Sequence, residues 1–243
     1  MQAKTTVLHN LSTSIGLQIH PAKSKVLRIC TQPKEKIKVE EQELEEVESF
    51  CYLGSIIDKQ GGTAAEVKAR IGKAQATFTT LNKFWKTKDI SLHTKLRIFN
   101  SNVKSILLYG CETLHASPMC AKKMQVFVNK CLRKILKIKW TDKISNERVW
   151  TQTKQRPIEV EIGKRRWRWI GHTLKKPGNS ITRKALDWNP QGKRSRGRPR
   201  GTWKRVLESD IQRSGQAWST VKRLAQDRKG WKTFVDGLYP DPG

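Results

Sequence analysis

The stretch TAAEVKARIGKAQATFTTLNKFWK at residues 63–86 decides the fold class of this chain. Apolar side chains recur in it in steps of three and four, at Val67, Ile71, Ala74, Phe78, Leu81 and Trp85. Side chains at this spacing share one face of an amphipathic helix, which must be buried against other elements. The sequence therefore predicts a helix here and a core built mainly from helices.

Two further segments downstream repeat the same spacing. One runs from a predicted N-cap at Ser91 to the neighbourhood of Tyr109 and Gly110, and the other begins at Ser117 or Pro118 and continues to Ile138. The outer face of the second segment is basic and carries Lys122, Lys123, Lys130, Arg133, Lys134 and Lys137. Three amphipathic helices joined by short connections predict a helical bundle over residues 61–142.

The first 60 residues have a different pattern. A helix is predicted over residues 1–15 and ends at Gly16, whereas residues 25–29 and 50–57 are short, rich in β-formers and bounded by turn residues. An acidic stretch that alternates loosely lies between them, at residues 40–48. We therefore expect a small antiparallel sheet, and an α+β fold class that is mostly α.

The region after residue 142 is basic and contains tryptophan. Residues 158–174 predict a helix with Ile162 and Trp169 on its apolar side, and its polar side carries Lys164, Arg165, Arg166 and Arg168. Residues 189–201 contain too much Gly and Pro for regular structure and predict an extended basic linker. Closing helices are predicted over 202–211 and 217–228, with Trp231 and Phe234 packed against them.

The charge of the chain predicts a polyanionic partner. The 243 residues include 49 Lys and Arg against 21 Asp and Glu, a net charge of +28. Residues 1–60 are balanced, with 8 basic and 8 acidic side chains, whereas residues 163–205 carry 15 basic and 1 acidic. Such a density opposes folding unless a polyanion neutralises it, and the commonest polyanions in cells are nucleic acids. Because Trp167, Trp169, Trp188 and Trp203 are interleaved with these charges, part of the region should fold or stack rather than form a solvated tail.

Composition also excludes several classes of protein. No apolar run approaches the roughly 20 residues that cross a bilayer, so we expect no membrane partner. Residues 1–10 lack the pattern of a secretory signal, so we expect a protein that is not secreted, with five reduced cysteines. No small-molecule substrate is indicated, and a nuclear location would fit a basic protein that binds nucleic acid.

Two short segments carry a resemblance to a known family. Residues 16–25, GLQIHPAKSK, are followed by FCYLG at 50–54. Together they resemble the end of the palm in non-LTR (LINE-type) retrotransposon endonuclease-reverse transcriptases, namely the motif D turn and the primer-grip hairpin of motif E. In this resemblance Lys23 matches the motif D lysine near the leaving pyrophosphate, although His20 replaces an Asn and Ser24 a Thr. The primer-grip positions would be Phe50, Tyr52, Leu53 and Gly54.

The resemblance continues along nearly the whole chain, through residues 109–112, 167–172 and 196–203. It implies the end of a palm over residues 1–60, a thumb-like three-helix bundle over 61–142, and a basic nucleic-acid-binding C-terminal region over 143–243. The implied function is that of an RNA-directed DNA polymerase fragment from a transposable element.

Polymerase chemistry by this chain alone is not expected. Two-metal phosphoryl transfer needs paired carboxylates, and the family holds them in an aromatic-Ala-Asp-Asp turn upstream of the residues present here. No two aspartates are adjacent in the sequence, and only Asp58 and Asp89 precede residue 142. We therefore expect a truncated, inactive reverse-transcriptase fragment that has no cofactor of its own, since Mg²⁺ would be held only by an intact polymerase.

The sequence does not predict a zinc site. Cys111, His115, Cys120 and Cys131 have suitable side chains, but their spacing is not that of a zinc knuckle or ribbon. Cys131 falls on the apolar face of a predicted helix and Cys111 at a helix end, so we expect both to be small core residues.

The remaining candidates concern RNA or DNA binding. The predicted contact residues are Lys164, Arg165, Arg166, Arg168, Arg194, Arg196, Arg198, Arg200, Lys204 and Arg205. The run Arg196–Gly197–Arg198–Pro199–Arg200 resembles an AT-hook, and either insertion into a minor groove or general phosphate binding would suit it. It also supports an alternative function, that of a nuclear DNA- or chromatin-binding protein. Trp167 and Trp169 could be either core residues or stacking platforms for bases.

Overall fold

The computed structural model of the chain describes residues 1–29, 35–59, 63–114, 117–187 and 202–240. It is 64% helical with about 8% strand, which confirms an α+β class that is mostly α. The chain divides into two compact units, residues 1–69 and 70–243. The divisions predicted at residues 60 and 142 stay predictions. In the described parts of the chain, none of the helices combines the length and the apolar character that a bilayer crossing requires.

In its described residues, the first unit consists of one helix, six short strands and the start of a second helix. Its elements are α1 (Gln2–Ser14), β1 (Lys25–Leu27), β2 (Lys38–Val39), β3 (Gln42–Glu43), β4 (Glu45–Val47), β5 (Ser49–Tyr52), β6 (Ser55–Asp58) and the beginning of α2 (Ala64–Thr80). The predicted first helix is confirmed. Its side chains are not buried, and Val7, Leu8 and Leu11 on it are exposed.

The strands do not form the single antiparallel sheet that the sequence predicted. They form three two-stranded pairs, of which β2–β3 and β5–β6 are antiparallel and β1–β4 is parallel. Between β1 and β4 the chain forms the hairpin β2–β3, and β4 then lies beside β1 in the same direction, with Lys25 opposite Glu45 and Leu27 opposite Val47. The second hairpin turns at Leu53 and Gly54, whose φ angles of 49° and 80° are those of a two-residue type I′ turn.

The second unit begins within α2 and continues through the predicted bundle. Its next elements are α3 (Asn82–Lys86), α4 (Leu92–Ile98), a π-helical segment (Phe99–Lys104), α5 (Ser105–Leu107) and α6 (Pro118–Ile135). The predicted helix over 63–86 is interrupted at Leu81, so α2 and α3 are separate. Ser91 accepts a hydrogen bond from the Thr94 backbone N–H, which confirms the predicted N-cap of α4.

The apolar face predicted for these segments forms the core of the bundle. Trp85, Phe99, Val103 and Phe127 are all buried, and the Trp85 ring stacks on Phe78 with centroids 5.0 Å apart. The indole Nε1 of Trp85 donates to the Phe78 carbonyl at 2.8 Å, so the short helix α3 is fixed against the end of α2.

The C-terminal part of the second unit contains six helices in the described residues. They are α7 (Asn146–Thr153), α8 (Ile158–Lys175), α9 (Ile181–Asp187), α10 (Trp203–Ser214), α11 (Trp218–Leu224) and α12 (Arg228–Leu238). The three closing helices pack with α8 around a cluster that includes Trp167, Leu207, Val221 and Trp231. The predicted packing of Trp231 and Phe234 in this region is confirmed.

Two glycines of α8 let α12 approach closely. A Cβ atom built on Gly163 would lie 2.2 Å from the ring of Tyr239, and one on Gly171 would lie 2.2 Å from Nε1 of Trp231. Any larger residue at these positions would have to displace an aromatic ring. The glycine in the sequence Trp-Ile-Gly-His at 169–172 therefore has a packing role.

Candidate nucleic-acid interface

Helix α8 carries the residues that join the core of the second unit to its basic surface. The side chain of Trp167 is fully buried, and its Nε1 donates to Oδ2 of Asp210 at 2.7 Å. Its ring contacts Trp231 and Phe234, with centroids 6.0 and 5.5 Å away. Trp167 is therefore a core residue and not a stacking platform for a base.

Trp169 is half-buried against the same cluster and packs edge-to-face on Trp203, with centroids 5.9 Å apart. The Nε1 of Trp203 donates to the backbone carbonyl of Glu112 at 2.9 Å. Three segments that are far apart in sequence, at 109–112, 167–172 and around Trp203, therefore meet at one place. Because Trp169 is half-buried in this contact, it packs between α8 and α10 and does not present an open face for stacking with a base.

The exposed side of α8 is a basic ridge. It is formed by residues spaced by three, four and three, and all of them are exposed: Arg165, Arg168, His172 and Lys175. Positions at this spacing follow one face of a helix. Since α8 rises about 1.5 Å per residue, the ridge is about 15 Å long. Sequence reasoning missed Lys175, which the same periodicity could have identified.

Two of the predicted contact residues on α8 are not on this ridge. Lys164 and Arg166 were expected on the polar side of the helix, but their exposed fractions are only 3% and 4%. Nζ of Lys164 lies 3.4 Å from Oδ1 of Asp236 on α12. Lys164 is covered because α12 packs on the face of α8 that contains Gly163 and Gly171. In the structure as it stands, neither can reach a phosphate.

The other predicted contact residues lie in the first turn of α10 or precede it in the sequence. Lys204 is exposed and Arg205 is half-buried in its first turn, and the Thr202 side chain caps that turn by accepting from the Arg205 backbone N–H. The remaining four, Arg194, Arg196, Arg198 and Arg200, lie outside the described residues. The AT-hook-like run and its choice between groove insertion and phosphate binding stay predictions.

The cysteines occupy the core positions that were expected. Cys111 and Cys131 are buried, and burial raises the pKa of each thiol to about 12. Cys120 is buried as well, whereas His115 lies outside the described residues. Within the described residues, no group of three potential metal ligands comes together.

A buried ion pair links the bundle to α8. Nζ of Lys104, at the end of the π-helical segment, contacts Oε1 of Glu161 and donates to Oε1 of Gln155 at 2.8 Å. Burial lowers the pKa of Lys104, the carboxylate of Glu161 opposes this effect, and the charges of Arg165 and Arg156 add to it. This pair fixes the N-terminal turns of α8, and so it also positions Arg165.

The residues of the first unit that resemble polymerase motifs are on its surface. Lys23 is exposed at the end of a 3₁₀ turn, Pro21–Lys23, just before β1. Phe50 and Tyr52 occupy alternate positions of β5 and therefore share one face of the hairpin, with exposed fractions of 41% and 58%. Leu53 and Gly54 form its turn. The motif D and primer-grip roles stay predictions.

Comparison with known proteins gives one partial match. A family model described as a domain of unknown function, DUF6451, matches residues 77–109, which include the end of α2, the helices α3, α4 and α5, and the π-helical segment. No curated protein and no solved structure matches the chain. The matched stretch contains the buried residues Phe78, Trp85 and Phe99 and ends before the basic ridge.

Proposed function

We propose that this chain is a C-terminal fragment of a non-LTR retrotransposon reverse transcriptase that binds RNA or DNA and does not polymerise by itself. The observation that carries the binding proposal is the ridge of Arg165, Arg168, His172 and Lys175 on α8. The sequence resemblance to the palm end, primer grip and C-terminal region of that family supports the wider assignment.

The ridge suits a phosphate backbone in both length and charge. At about 15 Å it spans the axial rise of about four base pairs of B-form DNA, which is about 3.4 Å each. Its residues are exposed and are held on a helix whose opposite side is packed against α12. Such a rigid row of basic side chains binds a polyanion without regard to sequence.

Salt dependence tests the binding proposal. If the ridge and the basic residues beyond it engage about eight phosphates, the logarithm of the binding constant on duplex DNA should fall with the logarithm of salt concentration at a slope near −7. Replacing two ridge residues, Arg165→Ala with Arg168→Ala, should weaken binding and reduce this slope by about 2.

A matched control separates the ridge from total charge. Lys229 and Lys232 are exposed on α12, so Lys229→Ala with Lys232→Ala removes the same charge elsewhere. The control should leave the slope near its original value. A flat response to salt, or equal effects of the two double variants, would refute binding by the ridge.

Primer extension tests the second half of the proposal. Full-length protein supplied with Mg²⁺, deoxynucleotides and a primed RNA or DNA template should bind the template but incorporate no nucleotide. The basis is that the sequence contains no adjacent pair of aspartates. Incorporation above background would show that this chain holds catalytic metal ions by another arrangement.

A further inference from the structure

Trp140 is the most exposed large apolar side chain of the described residues. Its exposed fraction is 91%, whereas Trp85 and Trp167 are almost completely buried. It lies in a 3₁₀ turn, Trp140–Asp142, between α6 and α7. A tryptophan side chain is usually packed against other side chains and largely removed from water, and the Trp140 indole is neither.

The segment that leads into Trp140 has a defined conformation. The Ile138 N–H donates to the carbonyl of Arg133 and the Lys137 N–H to that of Lys134, which is the hydrogen-bond pattern of a Schellman motif. Lys137 has a φ of 59°, the left-handed conformation that the motif requires. The direction in which the chain leaves α6 is therefore fixed.

The segment that follows Trp140 is fixed as well. The Lys139 N–H donates to Oδ2 of Asp142 at 2.7 Å, and the guanidinium of Arg133 donates to the carbonyl of Ile144 and to Oδ1 of Asn146, both at 2.9 Å. The Arg133 carbonyl therefore accepts a hydrogen bond from the segment before Trp140, and the Arg133 side chain donates to the segment after it. Trp140 is presented to solvent from a rigid support.

The surroundings of the exposed indole are cationic. Lys137, Lys139 and Lys143 lie within three residues of Trp140 and are exposed, whereas the one nearby carboxylate, Asp142, is engaged by the Lys139 N–H. Two more exposed lysines, Lys130 and Lys134, approach along the last turns of α6. The apolar neighbours Ile138 and Ile144 are half-buried, so they add little to an apolar surface around Trp140.

We propose that Trp140 is a stacking platform for an unpaired base of single-stranded RNA or DNA, with the neighbouring lysines on the flanking phosphates. This inference rests on the proposed function, because it names the form of nucleic acid that the chain prefers. An exposed aromatic ring on a cationic surface is the arrangement by which proteins bind single strands, since every base offers a flat face for stacking. A duplex keeps its bases stacked internally and cannot use this ring.

The test compares strands that have the same phosphates with and without bases. Binding of the full chain to fluorescently labelled oligothymidylate and oligouridylate is measured by anisotropy, beside an abasic strand of equal length and a duplex. The unmodified protein should bind the strands with bases at least about 5-fold more tightly than the abasic strand, as expected for one stacked base. Trp140→Ala should abolish this preference and leave affinity for the abasic strand and for duplex unchanged, whereas Trp140→Phe should retain most of it.

The controls distinguish base stacking by Trp140 from binding of phosphates by the basic residues. Met119→Ala removes another side chain that is 66% exposed on α6 and should have no effect on the preference for bases. If Trp140→Ala weakens all strands equally, or weakens none, the stacking inference is wrong while binding by basic residues stands. If the unmodified chain binds none of the four oligonucleotides, the proposed function itself fails. Loss of binding to anionic vesicles in Trp140→Ala, with oligonucleotide binding intact, would assign the indole to a lipid surface and overturn the inference.

Discussion

The hydroxyl of Tyr239 donates a hydrogen bond of 2.7 Å to Oδ2 of Asp210, and both side chains are buried. The same oxygen accepts from Nε1 of Trp167 at 2.7 Å, while Oδ1 accepts from Arg213 at 3.1 Å. One carboxylate on α10 thereby connects α8 with the residue that follows α12. Burial, followed by the contact with Asp210, raises the pKa of the Tyr239 phenol, so the phenol remains a hydrogen-bond donor at neutral pH.

Removal of this carboxylate should destabilise the second unit strongly. Asp210→Ala leaves two buried donors without an acceptor, and each such donor costs about 1–3 kcal/mol. We therefore expect the free energy of unfolding to fall by about 3 kcal/mol or more, as measured by urea denaturation followed by circular dichroism. Glu208→Ala, on the exposed side of the same helix, should change it by less than about 0.5 kcal/mol. Equal stability of the two variants would contradict the role given to Asp210.

The close approach of α8 and α12 predicts an asymmetry among glycines. Gly171→Ala should destabilise the protein by about 1–3 kcal/mol, because its methyl group would overlap the indole of Trp231. Gly237→Ala in α12 has no atom within 4 Å of the added Cβ and should stabilise the helix by up to about 1 kcal/mol. Thermal unfolding of the two variants should therefore shift in opposite directions. If Gly171→Ala melts no lower than the unmodified protein, α12 does not pack as described.

The buried pair of Lys104 and Glu161 should behave as a unit. Lys104→Met leaves Glu161 without its partner and should cost stability near the lower end of the roughly 3–5 kcal/mol range for broken buried pairs, since the Glu161 side chain is 21% exposed. Combining it with Glu161→Gln should restore part of the loss, which a double-mutant cycle in urea would measure. Strictly additive losses would show that the two charges do not interact energetically.

The buried thiols predict a dependence of stability on pH. Burial raises the pKa of Cys111 and Cys131 from 9.0 to about 12, so both are neutral thiols in the folded protein at pH 8. A group whose pKa is raised by folding contributes stability below its unfolded pKa and loses that contribution as the pH rises through the folded value. Stability should therefore decline between about pH 9 and pH 12. Replacing both cysteines with alanine should flatten this decline, apart from the contribution of Tyr239.

Alkylation provides an independent measurement of the same burial. Iodoacetamide at pH 8 should modify the exposed Cys51 within minutes and leave Cys111 and Cys131 unmodified until urea is added. Peptide mass mapping would identify each site. Rapid modification of Cys131 in the folded protein would contradict its place in the core.

Local sequence patterns predicted most helices because their apolar residues repeat over three or more turns. The predicted helix over 158–174 corresponds to α8, and Ser91 caps α4 as expected. The helices α7, α9 and α12 were not predicted, and α7 and α9 have only 8 and 7 residues, which gives few apolar repeats to detect. The parallel pairing of β1 with β4 depends on contacts across about 20 residues, which local alternation cannot specify.

The candidate surface was less predictable than the fold. Arg165 and Arg166 are adjacent in the sequence and chemically alike, yet one is exposed and the other is 4% exposed. The difference arises because other helices pack on part of the surface of α8, among them α6 and α12, and nothing in the α8 sequence identifies those partners. The exposure of Trp140 was missed for a similar reason, since it follows from the two-ended attachment of its loop to Arg133.

Leu186 and Leu207 belong to the same buried cluster, and they flank the arginine-rich stretch 188–201 on its two sides. That stretch therefore connects two helices, α9 and α10, that belong to one core. A single tryptic cut within it would give two polypeptides on a denaturing gel that still elute together under native conditions. Insertions or deletions in this stretch would change the number of arginines in the chain over evolutionary time while α9 and α10 keep their packing in the core.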